Sequence, residues 1–170
     1  MSDSFFSKIF VALRGILFSS LFVLLWVWIA VSLRQYDKVL PMAIPGWLLP
    51  FGLILVSVGA LFAVACVATF ITKGRGTPAP FDPPRKFVAS GPYRLVRNPM
   101  YLSAAAVLLG SGIIASSPSI ILLGLGSLIL AHLVVVLYEE PVLTKQFGEP
   151  YLQYKTAVKR WVIRWPKPTI

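Results

Sequence analysis

GPYRLVRNPMY (Gly91–Tyr101) and YEEPVLTKQFGEPYLQY (Tyr138–Tyr154) decide the reading of this chain. The first stretch is basic and punctuated by prolines, and the second opens on two adjacent carboxylates. Between them, from Leu102 to Leu137, there is no Asp, Glu, Lys or Arg. The polar chemistry of a very apolar protein is therefore gathered where two membrane-spanning stretches meet one aqueous face. An enzyme working on a lipid-like substrate at a membrane surface would be arranged in this way.

Working outward, the composition sets the class. Of 170 residues, 57% are hydrophobic and 13% are charged, with a mean hydropathy of +0.79. Soluble domains carry about a quarter charged residues, so an all-α integral membrane protein forming one domain over residues 1–170 is predicted. A hydrocarbon core of about 30 Å needs roughly 17–25 apolar residues. Four stretches meet that length: 15–33, 46–72, 100–116 and 120–138. A loop over 73–99 and a tail over 139–170 remain. Only Ser117-Pro118-Ser119 separates the last two spans, which predicts a tight antiparallel hairpin. The N-terminal MSDSFFSKIF has no small-residue cleavage site behind a short apolar core, so no removable leader is expected. Cys66 is the only cysteine; it excludes an intrachain disulfide and reads as a small buried hydrophobe.

The cations set the orientation. Lys8 and Arg14 precede the first span. The loop carries Lys73, Arg75, Arg85, Lys86, Arg94 and Arg97, and the tail carries Lys145, Lys155, Lys159, Arg160, Arg164 and Lys167. Four crossings put all of these on one side, with only Arg34 and Lys38 opposite. The positive-inside rule makes the shared side cytoplasmic, with both termini there. A net charge of +10 placed beside apolar spans fits anionic lipid head groups rather than nucleic acid, and no protein partner is implied. Small residues inside the spans, among them Gly59, Gly110, Gly112, Gly124 and Gly126, predict close helix packing. The tryptophans read as interfacial anchors. Tyr151, Leu152, Lys155, Val158 and Lys159 recur at helical spacing and predict an interfacial tail helix that closes the site from below.

Within this frame three groups can carry chemistry. Glu139 and Glu140 are read as the only acids abutting a span, at the negative dipole end of the last helix, where charge is costly without partners. They can bind a ligand ammonium, pair with Arg97 or act as a base; alternatively, Pro141 begins a new helix and the glutamates sit at its favourable N-terminus. Arg97 and Asn98 precede Pro99, which can begin the third span, and a helix N-terminus with a bidentate guanidinium suits a carboxylate or phosphate. Arg94 reads as a solvated, lipid-facing cation. Gly74 and Gly76 allow close backbone approach to a ligand, or simply end a helix. His132, the only histidine, lies about two turns before Glu139 on the same face. It can carry a proton, touch a ligand or make an inter-helix hydrogen bond. No Cys/His cluster is present, so no metal is expected.

Taken together, these residues resemble the isoprenylcysteine carboxyl methyltransferase family and related phospholipid methyltransferases. The family pattern of GPY, RHP-x-Y-x-G, a helical hairpin and EE-x-x-L-x-x-x-FG-x-x-Y-x-x-Y is met by Gly91, Pro92, Tyr93, Arg97, Pro99, Tyr101, Glu139, Glu140, Leu143, Phe147, Gly148, Tyr151 and Tyr154. Two positions depart from it: Asn98 stands for the usual histidine and Ser103 for the usual glycine. The resemblance implies S-adenosylmethionine as methyl donor, leaving as S-adenosylhomocysteine, and a lipid-like methyl acceptor that enters from the bilayer. It implies Arg97, Asn98, Glu139 and Glu140 as catalytic residues. The cofactor would be held by Gly74, Gly76, Tyr93, Arg97, Asn98, Tyr101, His132, Glu139, Glu140 and Tyr151. The acceptor can be an isoprenylcysteine carboxylate, a phospholipid amine or a small thiol. A small transporter or a non-catalytic membrane scaffold are the readings from other classes, and cofactor binding separates them from the enzyme.

Overall fold

The computed structural model describes residues 5–40, 42–74 and 87–163. All regular elements among them are helical. Helix α1 is Phe5–Leu33, extended by a 3₁₀ turn over Arg34–Val39. A second 3₁₀ turn, Gly46–Leu48, leads into α2 (Leu49–Thr69), which widens into a π turn over Phe70–Gly74. A 3₁₀ turn at Gly91–Arg94 precedes α3 (Pro99–Ile114), which pairs with α4 (Pro118–Val134). A second π turn, Val135–Glu139, then joins α5 (Glu140–Phe147), and α6 (Glu149–Ala157) follows. Among the described residues between Gln35 and Trp47 there are only 3₁₀ turns and irregular chain.

Among the described residues, three runs are long and apolar enough to cross a membrane: Gly15–Val39, Gly46–Thr72 and Pro118–Phe147. The predicted third span is a 16-residue helix, about 24 Å long at 1.5 Å per residue and so short of a full hydrocarbon core. The hairpin turn lies at Ala115–Ser117, slightly earlier than predicted. Ser117 caps α4, its hydroxyl accepting from the Ile120 N–H at 3.4 Å, and Pro118 occupies the first turn, where a missing N–H costs nothing.

Small residues set the packing, as lipid-embedded helices require. Gly52, Gly59 and Cys66 repeat every seventh residue and form the buried stripe of α2. A Cβ on Gly110 of α3 would lie 2.6 Å from the Gly52 carbonyl oxygen, so the α2–α3 backbones touch there. A Cβ added at Gly126 would meet nothing within 4 Å among the described residues, so no close helix approach depends on that glycine. Asp37 corrects the expectation that only Glu139 and Glu140 abut a span. Its Oδ1 accepts from Ser117 Oγ and from the Ser119 N–H, both at 3.0 Å, and so ties the end of α1 to the hairpin turn.

Candidate active site

The last apolar run does not end at the glutamates. Pro118–Phe147 is one helical stretch, so Glu139 and Glu140 lie inside it and do not oppose a terminal dipole. Pro141 cannot donate to the ladder, and the π turn lies directly upstream, with the Glu140 N–H bonding the Val135 carbonyl. Such wide turns insert a residue and re-aim side chains. Here they send two adjacent glutamates to different partners.

Glu140 is a charge hub, its side chain 9% exposed. Arg160 Nε donates to Oε1 at 2.6 Å and Nη2 to Oε2 at 3.1 Å. Lys155 Nζ lies 3.2 Å from Oε2 and Arg97 Nη1 3.1 Å from Oε1. The hydrogen bond to Glu140 raises the Arg160 pKa above its ordinary value, so its charge is fixed. Glu139 is different: among the described residues it accepts from the Tyr101 hydroxyl alone and no cation reaches it.

Arg97 sits between the 3₁₀ turn and α3. Its side chain is 10% exposed, yet neither Nε nor Nη1 has a well-aligned hydrogen-bond acceptor among the described residues. The ion pair with Glu140 is close in distance but poor in angle, which leaves buried donors with capacity to spare. Asn98 is the residue before α3, but its side chain makes no cap; instead Nδ2 donates to the Arg160 carbonyl at 3.2 Å. The Arg97 N–H donates to the Lys159 carbonyl at 2.9 Å. The corner before α3 thus fastens the chain beyond α6. This corrects the predicted tail helix, which stops at Ala157: Val158 is extended, at φ −116° and ψ 129°, so Val158 and Lys159 leave the helix to meet that corner.

The tyrosines separate into core and site. Tyr93 is buried against Cys66, Val88, Phe70 and Met100, its carbonyl accepting from the Tyr154 hydroxyl at 2.7 Å. Burial raises the pKa of Tyr93, and likewise of Tyr154 and Tyr151. Tyr151 is 3% exposed, beside Arg97, with Lys155 Nζ 5.9 Å from its ring centre. Phe87 packs on Phe147, Tyr151 and Tyr154 at 5.1–5.9 Å. Gly91 has φ +59°, and a Cβ there would meet Thr69 Oγ1 at 2.7 Å, so the GPY turn seats against α2 only with glycine. Gly148, also at φ +59°, separates α5 from α6.

Gly74 ends the first π turn, and Gly76 lies outside the described residues. Arg94 is exposed. His132 is exposed on α4 and makes no inter-helix hydrogen bond among the described residues; its Nδ1 accepts from the Trp161 indole N–H at 3.1 Å. The structure therefore brings together Arg97, Asn98, Tyr101, Glu139, Glu140 and Tyr151, and places Tyr93 in the core beneath them. Lys155, Arg160 and Trp161 were missed from the sequence. Nothing local distinguishes their cationic or aromatic side chains from surface anchors, and only tertiary contact shows their partners. No group of three or more His, Cys, Asp or Glu able to hold a metal occurs among the described residues.

Residues 47–150, which contain both the Arg97 corner and the glutamate pair, match the family model for phospholipid methyltransferase. The chain belongs to that family. Membership implies a membrane methyltransferase acting on lipid-like substrates, and the long apolar helices fit a multi-pass membrane protein. No curated protein and no solved structure matches the chain. The family match stops before Lys155, Arg160 and Trp161, so the chain that straps the site lies beyond it.

Proposed function

We propose that this protein is an S-adenosylmethionine-dependent methyltransferase of the membrane, methylating a lipid-like or lipidated acceptor such as an isoprenylcysteine carboxylate. The observation that carries this reading is the unequal occupation of the charged groups. Glu140 is saturated by three cations, whereas Glu139 and the buried donors of Arg97 retain capacity. A carboxylate fits the orphaned Arg97 donors and an ammonium fits Glu139. Those are the two charged ends of the donor's amino-acid moiety. Tyr101 and Tyr151 flank them and suit its cationic or adenine faces, with Gly74 and Gly76 proposed as close-approach positions. When bound, the donor supplies an already activated methyl group.

The residues' own work is alignment and exclusion of water. Arg97 and Glu139 orient a zwitterion, while Glu140 fixes Arg97. Asn98 fastens the Arg160 carbonyl. Its role in holding the strap supports tolerance of asparagine where the family pattern has histidine, because an amide N–H performs it without carrying a proton. A carboxylate acceptor needs no base. The family match favours a phospholipid amine as the second reading; such an amine must lose a proton, and Glu139 is the carboxylate with capacity to take it. The cation bias supports placing loop, tail and both termini in the cytoplasm.

The test is methyl transfer from isotope-labelled S-adenosylmethionine in nanodiscs. One preparation contains phosphatidylethanolamine and a second has a prenylcysteine added. Label in either lipid, with stoichiometric S-adenosylhomocysteine, is expected. Folded protein that labels neither and releases no S-adenosylhomocysteine would contradict the reading.

A further inference from the structure

Four side chains run in a row from the outer face of α4 to Glu139. His132 is exposed within the apolar run Pro118–Phe147, on a face that also presents Ile129, Leu133 and Leu137 outward. Trp161 donates its indole N–H to His132 and lies 6.2 Å from it, centre to centre. On its other side the indole meets Tyr101 edge-on at 6.5 Å, and the Tyr101 hydroxyl donates to Glu139. Trp161 is thus the ring that lies between the outward-facing histidine and the tyrosine bonded to Glu139.

The strap that carries Trp161 is held by bonds that do not involve the indole. The Lys159 carbonyl accepts from the Arg97 N–H, the Arg160 carbonyl accepts from Asn98, and the Arg160 guanidinium is paired with Glu140. The backbone stays fastened if the indole turns about its own side-chain bonds. Its polar tether is then the single hydrogen bond to His132. A tryptophan tethered only to read the interface would need no such acceptor inside an apolar helix.

We infer that Trp161 is a movable wall between the bilayer and Glu139, and that His132 is the catch that holds it shut. Its use, admitting a lipid-like acceptor sideways, rests on the methyltransferase reading. The wall and catch do not.

The test needs neither cofactor nor acceptor. Glu139→Cys is made in a Cys66→Ala background and reconstituted in nanodiscs. Its thiol is reacted with a lipid-partitioning maleimide and, separately, with a charged, membrane-impermeant methanethiosulfonate. His132→Ala is expected to raise the lipid-side rate about two- to tenfold, for the loss of one hydrogen bond, Trp161→Ala to raise it at least as much, and both to leave the aqueous rate unchanged. His132→Gln, whose carbonyl can accept the indole N–H, should restore slow labelling. Lipid-side labelling unmoved by Trp161→Ala would overturn the wall, and His132→Gln as fast as His132→Ala would overturn the catch. Both reagents accelerating together would show general loosening and overturn both. Absence of methyl transfer in the assay above would not alter these rates, so the two ideas fail separately.

Discussion

At the closed end of the α3–α4 hairpin, Asp37 accepts from two neutral donors, Ser117 Oγ and the Ser119 N–H. At the open end, Glu140 gathers Arg97, Lys155 and Arg160. The first arrangement is a helix cap: one acid meets the positive end of α4, and the Ser119 hydroxyl, without a well-aligned partner among the described residues, is uncharged. The second brings three cations to one carboxylate and leaves Arg97 donors buried without aligned acceptors. Burying imperfectly matched charge is expensive, and helix capping does not require it. The difference separates polar groups that the fold uses up from the groups to which the proposed function assigns a ligand.

Substitutions at the two ends should therefore differ in kind. The largest effect is expected for Glu140→Gln, which leaves Arg97 and Arg160 without their counter-charge. Breaking one partner of a buried ionic cluster costs about 3–5 kcal/mol. In detergent, Tm should fall steeply and the strap beyond α6 should become accessible to protease. Near-normal Tm would mean that the hub is not structural.

A smaller effect, confined to the open end, is expected from high pH. Burial raises the pKa of Tyr93, Tyr151 and Tyr154, so the folded state holds these protons more tightly than the unfolded state does. Their contribution is fully present below the unfolded value of about 10 and is lost as pH rises toward the folded values. Ultraviolet titration of tyrosinate should track exposure of the open end above that pH. Tyr154→Phe, which loses the bond to the Tyr93 carbonyl, should shift that exposure; an unshifted curve would detach Tyr154 from it.

Asp37→Asn should have the smallest effect. The amide oxygen can still accept from Ser117 and Ser119, and only the interaction of charge with the helix end is lost. Its Tm drop should be well below that of Glu140→Gln, with ligand binding untouched. A drop as large as that of Glu140→Gln would erase the distinction between the ends.

The sequence exposed the open end better than the closed one. The spacing from Arg97 to Glu139 and Glu140 marked residues that the fold brings together, because charge is rare in so apolar a chain, and the 20-residue scale of apolar runs marked the long helices. The short α3 was overextended because Ala115 and Ser116 are compatible with a span, whereas the Ser117 cap and Pro118 fix the turn. Asp37 was passed over because its partners lie 80 and 82 residues away. The same holds for Arg160, which reaches Glu140 across 20 residues, and for Trp161. The split between Glu139 and Glu140 was hidden because a π turn has no strong sequence signature, and adjacent glutamates look equivalent until the backbone turns them apart.

The central claim is that Glu139 and Arg97 hold the binding capacity, with Glu140 serving the fold. Calorimetric titration of nanodisc-embedded protein with S-adenosylhomocysteine tests it most directly, comparing wild type, Glu139→Gln and Asp37→Asn. Saturable binding by wild type and Asp37→Asn, weakened about tenfold or more in a Glu139→Gln protein of unchanged Tm, is the predicted result for loss of one charged contact. Equal affinity in wild type and Glu139→Gln, or no binding by folded wild type, would contradict the account.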